Sequence, residues 1–394
     1  MSANAPSSKD IGQCVACGLC LPHCPTFRVT GMETASPRGR IAAMRAVVDE
    51  GAPIDATFIR MMDECLACRA CEAACPSGVP YGRLIEASRA MVEPLRSPRS
   101  RLLKTAGLST VLRHPRLMKL MAAGLGLMQT LRLDRVMPAR LRVITPRVSL
   151  RELARPLPDA QGDGPTAALL TGCVMDVAFR PVHRATLNLL AASGYRAVAP
   201  AQGACCGALA AHGGRPDIAK QMAKARIADF EHADVVVLNS AGCSAHMKIY
   251  DELLADEPAW AERAAVFSQK VRDIIEMELH PPERALGRVT VHDACHHLHA
   301  QGIKAGLRDL LRAGGAECVE VKDAGRCCGA AGVYGLTQPE MSARLRRDKA
   351  EAIAAAGSPV VVVANPGCAS QIAAGLHEIG SPVRVVHPSE LLEP

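Results

Sequence analysis

Short, uninterrupted apolar runs recur in the second half of the chain, and a cysteine follows each run within a few residues. They form two similarly spaced pairs, 167–171 with 235–238 and 289–291 with 360–363. Helical periodicity fills the intervals, and short apolar runs between helices are typical of buried parallel strands. The pattern predicts two consecutive α/β units with cysteines at the carboxyl ends of strands, where open α/β sheets place their sites.

The N-terminal part has a different pattern, in which polar, cysteine-containing loops flank a stretch with helical periodicity. Residues 37–49 are expected to form a helix that Ser36 caps and Gly51 ends. Its arginines, Arg38 and Arg40, can face a partner or a cofactor. We expect them instead to be solvated charges on the helix surface.

Composition narrows the chemistry. The chain has 394 residues, 49% hydrophobic and 22% charged, as expected for a globular protein of several domains. It contains 17 cysteines and shows no secretory signal in residues 1–13. Clustered thiols in a reducing cytoplasm usually bind metal or do redox chemistry. The longest apolar run, 120–128, is too short to span a membrane.

The cysteines form two internal duplications, and only Cys318, expected in a strand core, lies outside them. In the first, two runs of the form Cys-x2-Cys-x2-Cys-x3-Cys-Pro lie 51 residues apart: Cys14, Cys17, Cys20 and Cys24, then Cys65, Cys68, Cys71 and Cys75. In the second, a set of four recurs about 122 residues later: Cys173, Cys205, Cys206 and Cys243, then Cys295, Cys327, Cys328 and Cys368.

The N-terminal runs have the spacing of ligands to 4Fe-4S clusters. In the two-cluster ferredoxin pattern, the fourth cysteine of each run ligates the other cluster. One cluster then takes Cys14, Cys17, Cys20 and Cys75, and the other takes Cys65, Cys68, Cys71 and Cys24. Zinc is the alternative, although it favours separated Cys-x2-Cys pairs. With the inserted helix, the runs predict an α-helical ferredoxin-like N-terminal domain.

The eight C-terminal cysteines leave several interpretations open. Each set can hold one further iron–sulfur cluster, with His246 or His296 as an added ligand, or both sets can share a single cluster. A metal-free scaffold with buried thiols is the alternative. Four histidines near Cys295 can tune a cluster or relay protons, but we expect them to be solvated at a helix start. These are His292, His296, His297 and His299.

The C-terminal motifs resemble the cysteine-rich CCG domain, because each double cysteine precedes a glycine, Gly207 or Gly329. That family includes the catalytic subunit of heterodisulfide reductase and the iron–sulfur subunits of anaerobic glycerol-3-phosphate dehydrogenase and of glycolate oxidase. Its fullest pattern ends in Cys-x2-Cys. The final cysteine is missing after both Cys243 and Cys368, which argues against disulfide-reducing chemistry.

Over nearly its whole length the chain resembles the glycolate oxidase iron–sulfur subunit family, notably at 14–40, 71–82 and 327–339. The resemblance implies an electron-transfer subunit of a flavin-dependent 2-hydroxy-acid dehydrogenase, with glycolate as the expected substrate. An FAD-binding partner subunit would supply electrons, and a membrane quinone would receive them. The sequence has no dinucleotide-binding, Walker or nucleophile-elbow motif, so we expect no complete catalytic site here.

Three alternatives to this function remain open. One is a thiol–disulfide oxidoreductase of the heterodisulfide reductase type. Another is the iron–sulfur subunit of a lactate or glycerol-3-phosphate dehydrogenase, since the substrate pocket lies on another chain. The third is an assembly scaffold with inert clusters.

A basic connector separates the two duplications. Residues 94–151 carry 13 Lys or Arg and one acid, so this segment has a charge of +12 and the remainder −5. Basic amphipathic helices favour anionic membrane surfaces. An acidic partner or an interdomain wrap with solvated arginines would also fit, whereas nucleic acid is disfavoured because aromatic residues are only 3%.

The sequence therefore predicts four regions in a cytoplasmic protein that can lie on the inner face of the membrane. They are a two-cluster ferredoxin-like domain at 1–92, the basic connector at 93–163, and CCG repeats at 164–285 and 286–394.

Overall fold

The computed structural model describes residues 5–138, 141–142, 145–200 and 204–394. Within these ranges a helical N-terminal region is followed by two four-stranded parallel sheets. This arrangement confirms the expected fold class, an α-helical ferredoxin-like part followed by a duplicated α/β unit. Arg140, one of the basic residues of the connector, lies outside the described residues.

The N-terminal helices pack around the cysteine loops. Their bounds are Ser8–Gly12, Pro25–Thr30, Pro37–Val48, Ala56–Asp63, Ala70–Ala73 and Tyr81–Val92. The helix expected after Ser36 is Pro37–Val48, and Ser36 Oγ caps it by accepting a hydrogen bond of 2.9 Å from Gly39 N. Ile41 and Met44 are buried on the inner face of this helix, in a core that includes several of the cysteines.

The connector is helical, with proline in the first turn of its two main helices, where a missing N–H costs no hydrogen bond. Its helices are Pro98–Thr105, the π-helical turn Ala106–Val111, Pro115–Thr130 and Leu150–Ala154. Leu108 and Leu112 pack against the first α/β unit. No helix among the described residues is both long and apolar enough to cross a membrane.

The first sheet consists of β1 (Thr166–Leu169), β2 (Arg196–Val198), β3 (Val235–Leu238) and β4 (Val271–Asp273). The second consists of β5 (Gly287–His292), β6 (Ala316–Glu320), β7 (Val360–Val363) and β8 (Arg384–Val386). The two sheets have the same strand order, β2-β1-β3-β4 and β6-β5-β7-β8, and every pair of neighbouring strands is parallel. The four predicted apolar runs correspond to β1, β3, β5 and β7. The outer strands β4 and β8 have three residues each, too few to give a sequence pattern.

Helices cover both faces of each sheet. Those of the first repeat are Val174–Ala178, Arg180–Ala192, Ala208–His212, Pro216–Asp229, Ala241–Met247, Tyr250–Leu253 and Pro258–Lys270. Those of the second are the π-helical turn His296–Ala300, then Gly306–Ala313, Tyr334–Thr337, Pro339–Ala355, Pro366–Glu378 and Pro388–Leu391. Short 3-10 turns lie at Leu21–His23, Glu33–Ala35, Glu93–Leu95, Leu133–Val136 and Ile274–Glu276. Cys318 lies on β6, half-buried and packed against the main core as expected.

Buried polar contacts join the two repeats. Asp273 at the end of β4 is fully buried and accepts hydrogen bonds from Ser244 Oγ at 2.6 Å and from His297 Nε2 at 2.9 Å. His297 belongs to the second repeat and the other two residues to the first. Because a buried carboxylate is costly unless it is paired, this bridge holds the repeats in one relative position.

Candidate metal centres

The two N-terminal cysteine loops share two left-handed backbone positions. Equivalent positions adopt left-handed φ angles, Ala16 (55°) and Gly18 (85°) in the first loop, and Ala67 (51°) and Arg69 (61°) in the second. Non-glycine residues rarely adopt this conformation. Its recurrence, at the same places relative to the cysteines, indicates that each loop is wound around a centre of its own.

One set of predicted ligands lines a common pocket at the protein surface. Cys14, Cys17, Cys20 and Cys75 all border it, together with Cys71 of the other set, and Cys17 is exposed. Because Cys71 and Cys75 come from the second run, the pocket brings thiols of both runs together, as the crossed ferredoxin pattern expects. Apolar atoms of the neighbouring helices complete the wall of the pocket. Four thiols in an apolar pocket fit the donor set of a 4Fe-4S cluster.

The other set is buried. Burial raises the pKa of the Cys71 thiol well above its ordinary value, and negative charge on Cys68, Cys65 and Cys24 raises it further. Thiols that influence one another in this way lie close together. Cys65 Sγ accepts hydrogen bonds from Ala67 N at 3.3 Å and from the Tyr81 hydroxyl at 3.7 Å. Such donors stabilise a thiolate, so this group also fits an iron–sulfur centre.

Arg40 is not a solvated charge, and that expectation was wrong. Its side chain is 1% exposed, and its guanidinium lies 4.0 Å from Cys24 Sγ. Burial alone lowers the pKa of Arg40, but the nearby Tyr81 phenol and Cys65 thiol outweigh burial and raise it. The guanidinium donates to the Met61 carbonyl at 2.7 Å, which holds the charge in place. A fixed positive charge therefore lies beside the buried cysteine set.

The buried set abuts the second repeat. Burial raises the pKa of Cys68, and the next largest influence is the Cys295 thiol. Cys68 also shares a small apolar cluster with Cys327 and Tyr334. The second cysteine set of the N-terminal region and the cysteines of the second repeat thus occupy one continuous buried region.

Each repeat brings its four predicted cysteines together. In the first repeat, the Cys173 and Cys206 thiols donate to Cys205 and hold the pKa of Cys205 well below its ordinary value. Cys243 contacts Cys206 and so completes this set. The second repeat has the corresponding chain of contacting thiols, which is Cys295, Cys327, Cys328 and Cys368.

The histidine that joins a thiol set is His292, one of the four that the sequence placed near Cys295, but not one of the two expected as added ligands. Ligand atoms of His292, Cys328 and Cys368 lie within 4.8 Å of one another. The two expected added ligands lie beside single thiols of the two sets, His296 Nδ1 at 4.0 Å from Cys295 Sγ and His246 near Cys205. The His296 ring stacks on the His212 ring at a centroid distance of 5.7 Å, and the His246 ring meets Tyr250 edge-on at 5.5 Å.

The expectation of solvated histidines near Cys295 was also wrong, since His292 and His297 are buried and His296 and His299 are half-buried. The sequence signal for His292 was its place at the end of an apolar run, which forms the carboxyl end of β5.

A second residue beside these thiols, Lys349, had no signal in the sequence. It is buried near Cys328, and its Nζ donates to the Asp323 and Ala324 carbonyls at 3.2 and 3.1 Å.

Comparison with known proteins agrees with this division of the chain. A 4Fe-4S dicluster domain matches residues 10–79, and a cysteine-rich domain, CCG, matches residues 167–248 and again 289–373. The chain is 38% identical to a probable glycolate oxidase iron–sulfur subunit of Bacillus subtilis (strain 168), over 96% of this chain and 92% of that protein. It is 30% identical to the glycolate oxidase iron–sulfur subunit of Escherichia coli (strain K12), over 91% of this chain and 89% of that protein.

A shorter relative covers part of the chain. Lactate utilization protein A of Exiguobacterium sp. (strain ATCC BAA-1283 / AT1b) is 30% identical over 58% of this chain and 97% of its own length. The two longer relatives extend across the cysteine loops, the connector and both repeats. The chain therefore belongs to the glycolate oxidase iron–sulfur subunit family.

Proposed function

We propose that this chain is the electron-transfer subunit of a flavin-dependent 2-hydroxy-acid dehydrogenase. The observation that carries the proposal is the continuous line of cysteine sets from the surface loop at Cys17 to the buried thiols at Cys68 and Cys295. Iron–sulfur clusters move one electron at a time, whereas oxidation of a hydroxy acid removes two. A flavin converts between the two modes. We assign that FAD to a partner subunit, and no complete catalytic site to this chain.

We propose that two 4Fe-4S clusters are held in the crossed arrangement. The common pocket supports the first ligand set, and the mutual influence of the buried thiols supports the second. A zinc site would not explain why both loops have left-handed φ angles at the same positions relative to their cysteines. The first set is Cys14, Cys17, Cys20 and Cys75, and the second is Cys65, Cys68, Cys71 and Cys24.

We infer a direction for the electrons from burial. The loop around Cys17 reaches the surface, and Val15 and Leu19 beside it are 70% and 56% exposed. Exposed apolar side chains next to a redox site suit the docking of a partner subunit. Cys68, in contrast, is buried against the second repeat. Electrons would enter at the exposed loop and leave toward the repeats.

We further propose that each CCG repeat binds metal through its four contacting cysteines. Eight buried or half-buried thiols in two matching sets favour this over a metal-free scaffold. The sets are Cys173, Cys205, Cys206 and Cys243, and Cys295, Cys327, Cys328 and Cys368.

Glycolate is the substrate that we propose for the partner flavin. The relatives that match this chain over nearly its whole length are named for glycolate oxidase, whereas the lactate utilization relative covers 58% of it. Lactate and glycerol 3-phosphate are therefore the competitors to include in an experiment. The missing final cysteine of each CCG motif argues against a thiol–disulfide oxidoreductase.

The test is substrate-driven reduction of the clusters in the complex with its FAD subunit, purified without oxygen. Glycolate should bleach the flavin and then produce the electron paramagnetic resonance signal of reduced clusters, whereas lactate and glycerol 3-phosphate should not. Cys20→Ser and Cys71→Ser should suppress that signal, and Cys318→Ser, outside all sets, should leave it intact. A reduced flavin beside clusters that stay oxidised would contradict the proposal.

We propose that the connector holds the complex to the cytoplasmic face of the membrane, near a quinone acceptor. Its exposed apolar side chains are Leu102, Leu103, Leu120, Met121, Leu127, Leu131, Leu133 and Val136. Exposed arginines lie among them, at Arg99, Arg101, Arg113, Arg116, Arg132 and Arg135. Leucines that reach into lipid and arginines that contact anionic headgroups are the mark of an interfacial helix.

A further inference from the structure

The carboxyl edge of the second sheet contains a buried imidazole with no hydrogen-bond partner. His292 is the last residue of β5 and is 2% exposed. Among the described residues neither of its ring nitrogens has a hydrogen-bond partner. Leaving a buried polar group unsatisfied costs about 1–3 kcal/mol, so such a group calls for an explanation.

Two other buried histidines find partners, whereas His246, which lies near Cys205, has none among the described residues. His183 Nε2 lies 3.0 Å from the Thr171 carbonyl oxygen, and His387 Nε2 lies 3.1 Å from the Asn239 carbonyl oxygen. The fold therefore can satisfy buried imidazoles, and it leaves His292 without a partner next to thiols.

The neighbours of His292 are metal-binding groups on adjacent strands. Its ligand atom and those of Cys328 and Cys368 lie within 4.8 Å of one another. Cys328 follows β6 and Cys368 follows β7, so the three residues come from the ends of strands that are neighbours in the order β6-β5-β7. Neutral imidazole and thiolate are the usual ligands of zinc and of iron–sulfur iron.

The first repeat has a leucine at the strand position that corresponds to this histidine. The pairing of Val291 with Val362 in the second sheet corresponds to that of Leu169 with Val237 in the first. The residue after Leu169 is Leu170, which therefore occupies the place of His292. Leu170 has no ligand atom, so the two repeats present different donor sets.

We propose that His292 is a metal ligand, together with Cys328 and Cys368, so that the second repeat holds a mixed imidazole–thiolate centre. At the equivalent strand position the first repeat has Leu170. The metal is thiophilic, either the iron of a cluster or zinc. This inference rests on the proposal that the repeats bind metal, but it depends neither on the FAD partner nor on its substrate.

A difference in redox potential follows if the metal is iron. An imidazole that takes the ligand position of one of the four thiolates removes negative charge from the centre, which makes its reduction easier and raises the potential. The centre at His292 would therefore accept electrons more readily than an all-thiolate centre in the first repeat.

The experiment uses the full chain, purified without oxygen, with iron, acid-labile sulfide and zinc measured per chain. His292→Leu introduces the residue that the first repeat carries, and His292→Cys supplies a thiolate instead. We expect His292→Leu to lose the metal of one centre and His292→Cys to keep it. His183→Gln is the matched control, because His183 is equally buried but both of its ring nitrogens have hydrogen-bond partners. It should retain the full metal content.

A spectroscopic readout separates ligation from a structural effect. If the metal is iron, pulsed electron paramagnetic resonance should detect an imidazole nitrogen in the wild type and in His183→Gln, but not in His292→Cys. If it is zinc, the zinc content alone should fall in His292→Leu. Unchanged metal content and an unchanged spectrum in both His292 variants would overturn the inference. About eight iron atoms and no zinc in the wild type would overturn metal binding by the repeats, and this inference with it. The two N-terminal clusters would be unaffected.

Discussion

The hydroxyl of Tyr334 donates a hydrogen bond of 2.8 Å to the backbone carbonyl of Glu64. Glu64 immediately precedes Cys65, the first cysteine of the second N-terminal run, whereas Tyr334 belongs to the second repeat. One hydrogen bond thus ties the start of the buried cysteine loop to the domain that lies 270 residues away in sequence. The distance between these cysteine sets therefore depends on an interface and not on the local loop alone.

Tyr334→Phe should loosen this interface while keeping the ring. We expect the stability of the folded chain to fall by about 1 kcal/mol, the usual contribution of one hydrogen bond. Amide hydrogen exchange should become faster in residues 64–70. Tyr195→Phe is the control, because that hydroxyl makes no hydrogen bond within the described residues. Equal exchange in both variants would mean that the bond does not hold the loop.

Arg40→Gln should lower the midpoint potential of the cluster that we assign to Cys24, Cys65, Cys68 and Cys71. The substitution removes a buried positive charge near thiolates, and that charge favours the reduced cluster. Arg40→Lys keeps the positive charge, so its midpoint potential should stay close to that of the wild type. Arg38→Gln, at a half-exposed arginine paired with Glu33, should change the potential less than Arg40→Gln does.

The measurement is a redox titration followed by electron paramagnetic resonance. Arg40→Gln should also destabilise the chain by about 2–3 kcal/mol, because it leaves buried carbonyls without their charged donor. A potential that is the same in Arg40→Gln and the wild type would show that the charge is compensated elsewhere.

Gly329→Ala should destabilise the second repeat more than Gly380→Ala. Both glycines have left-handed φ angles, 84° and 67°, so both variants incur about 1–2 kcal/mol of backbone strain. Only at Gly329 would the new Cβ also lie 2.9 Å from Leu345 Cβ and from the Ser342 carbonyl oxygen, whereas Gly380 faces open space. Thermal unfolding of the two variants should separate strain from overpacking. Equal losses would mean that the helix Pro339–Ala355 can shift.

His387 should make the folded chain sensitive to mild acid. Burial lowers the pKa of His387 from its ordinary 6.5 to about 4. Between these values the unfolded chain binds a proton that the folded chain does not, so stability is present above pH 6.5 and falls as the pH drops toward 4. Between pH 7 and pH 5, His387 should lower the free energy of unfolding by about 2 kcal/mol.

The check is urea unfolding of the wild type and His387→Asn at pH 7 and pH 5. The variant should be less stable at pH 7, because the His387 ring accepts from Ser389 N at 3.1 Å and caps a helix. It should lose less stability than the wild type on acidification. Equal losses would assign the acid sensitivity to the other buried histidines.

The exposed leucines of the connector should govern binding to lipid. Leu102 and Leu103 are 70% and 75% exposed, so replacing both by serine should leave the fold intact. We expect the double variant to co-sediment less with vesicles that contain anionic lipid, and added salt to weaken the wild type further. Val266→Ser removes an apolar side chain that is 53% exposed on the first repeat and should have no effect. Binding that is lost equally in both variants would argue against a specific membrane surface.

The spacing of residues along the chain determined the parts of this protein that are local. Ligands of a cluster on one loop must lie a few residues apart, so the spacing of the two N-terminal runs predicted both the 4Fe-4S ligands and the internal duplication. Four-residue apolar runs such as Val235–Leu238 and Val360–Val363 predicted buried strands, because only a sheet covered on both faces favours them. The cap at Ser36 and the helix after it were predictable for the same reason.

Tertiary structure decided what depends on neighbours far away in the chain. The same arginine pattern puts Arg38 at the surface and Arg40 beside Cys24, and only the packing of the helix tells them apart. Among the histidines near Cys295, His292 meets two thiols because β6 and β7 lie on either side of β5. Strand order and helix packing arise from contacts between remote segments, and the periodicity of a single segment does not encode them.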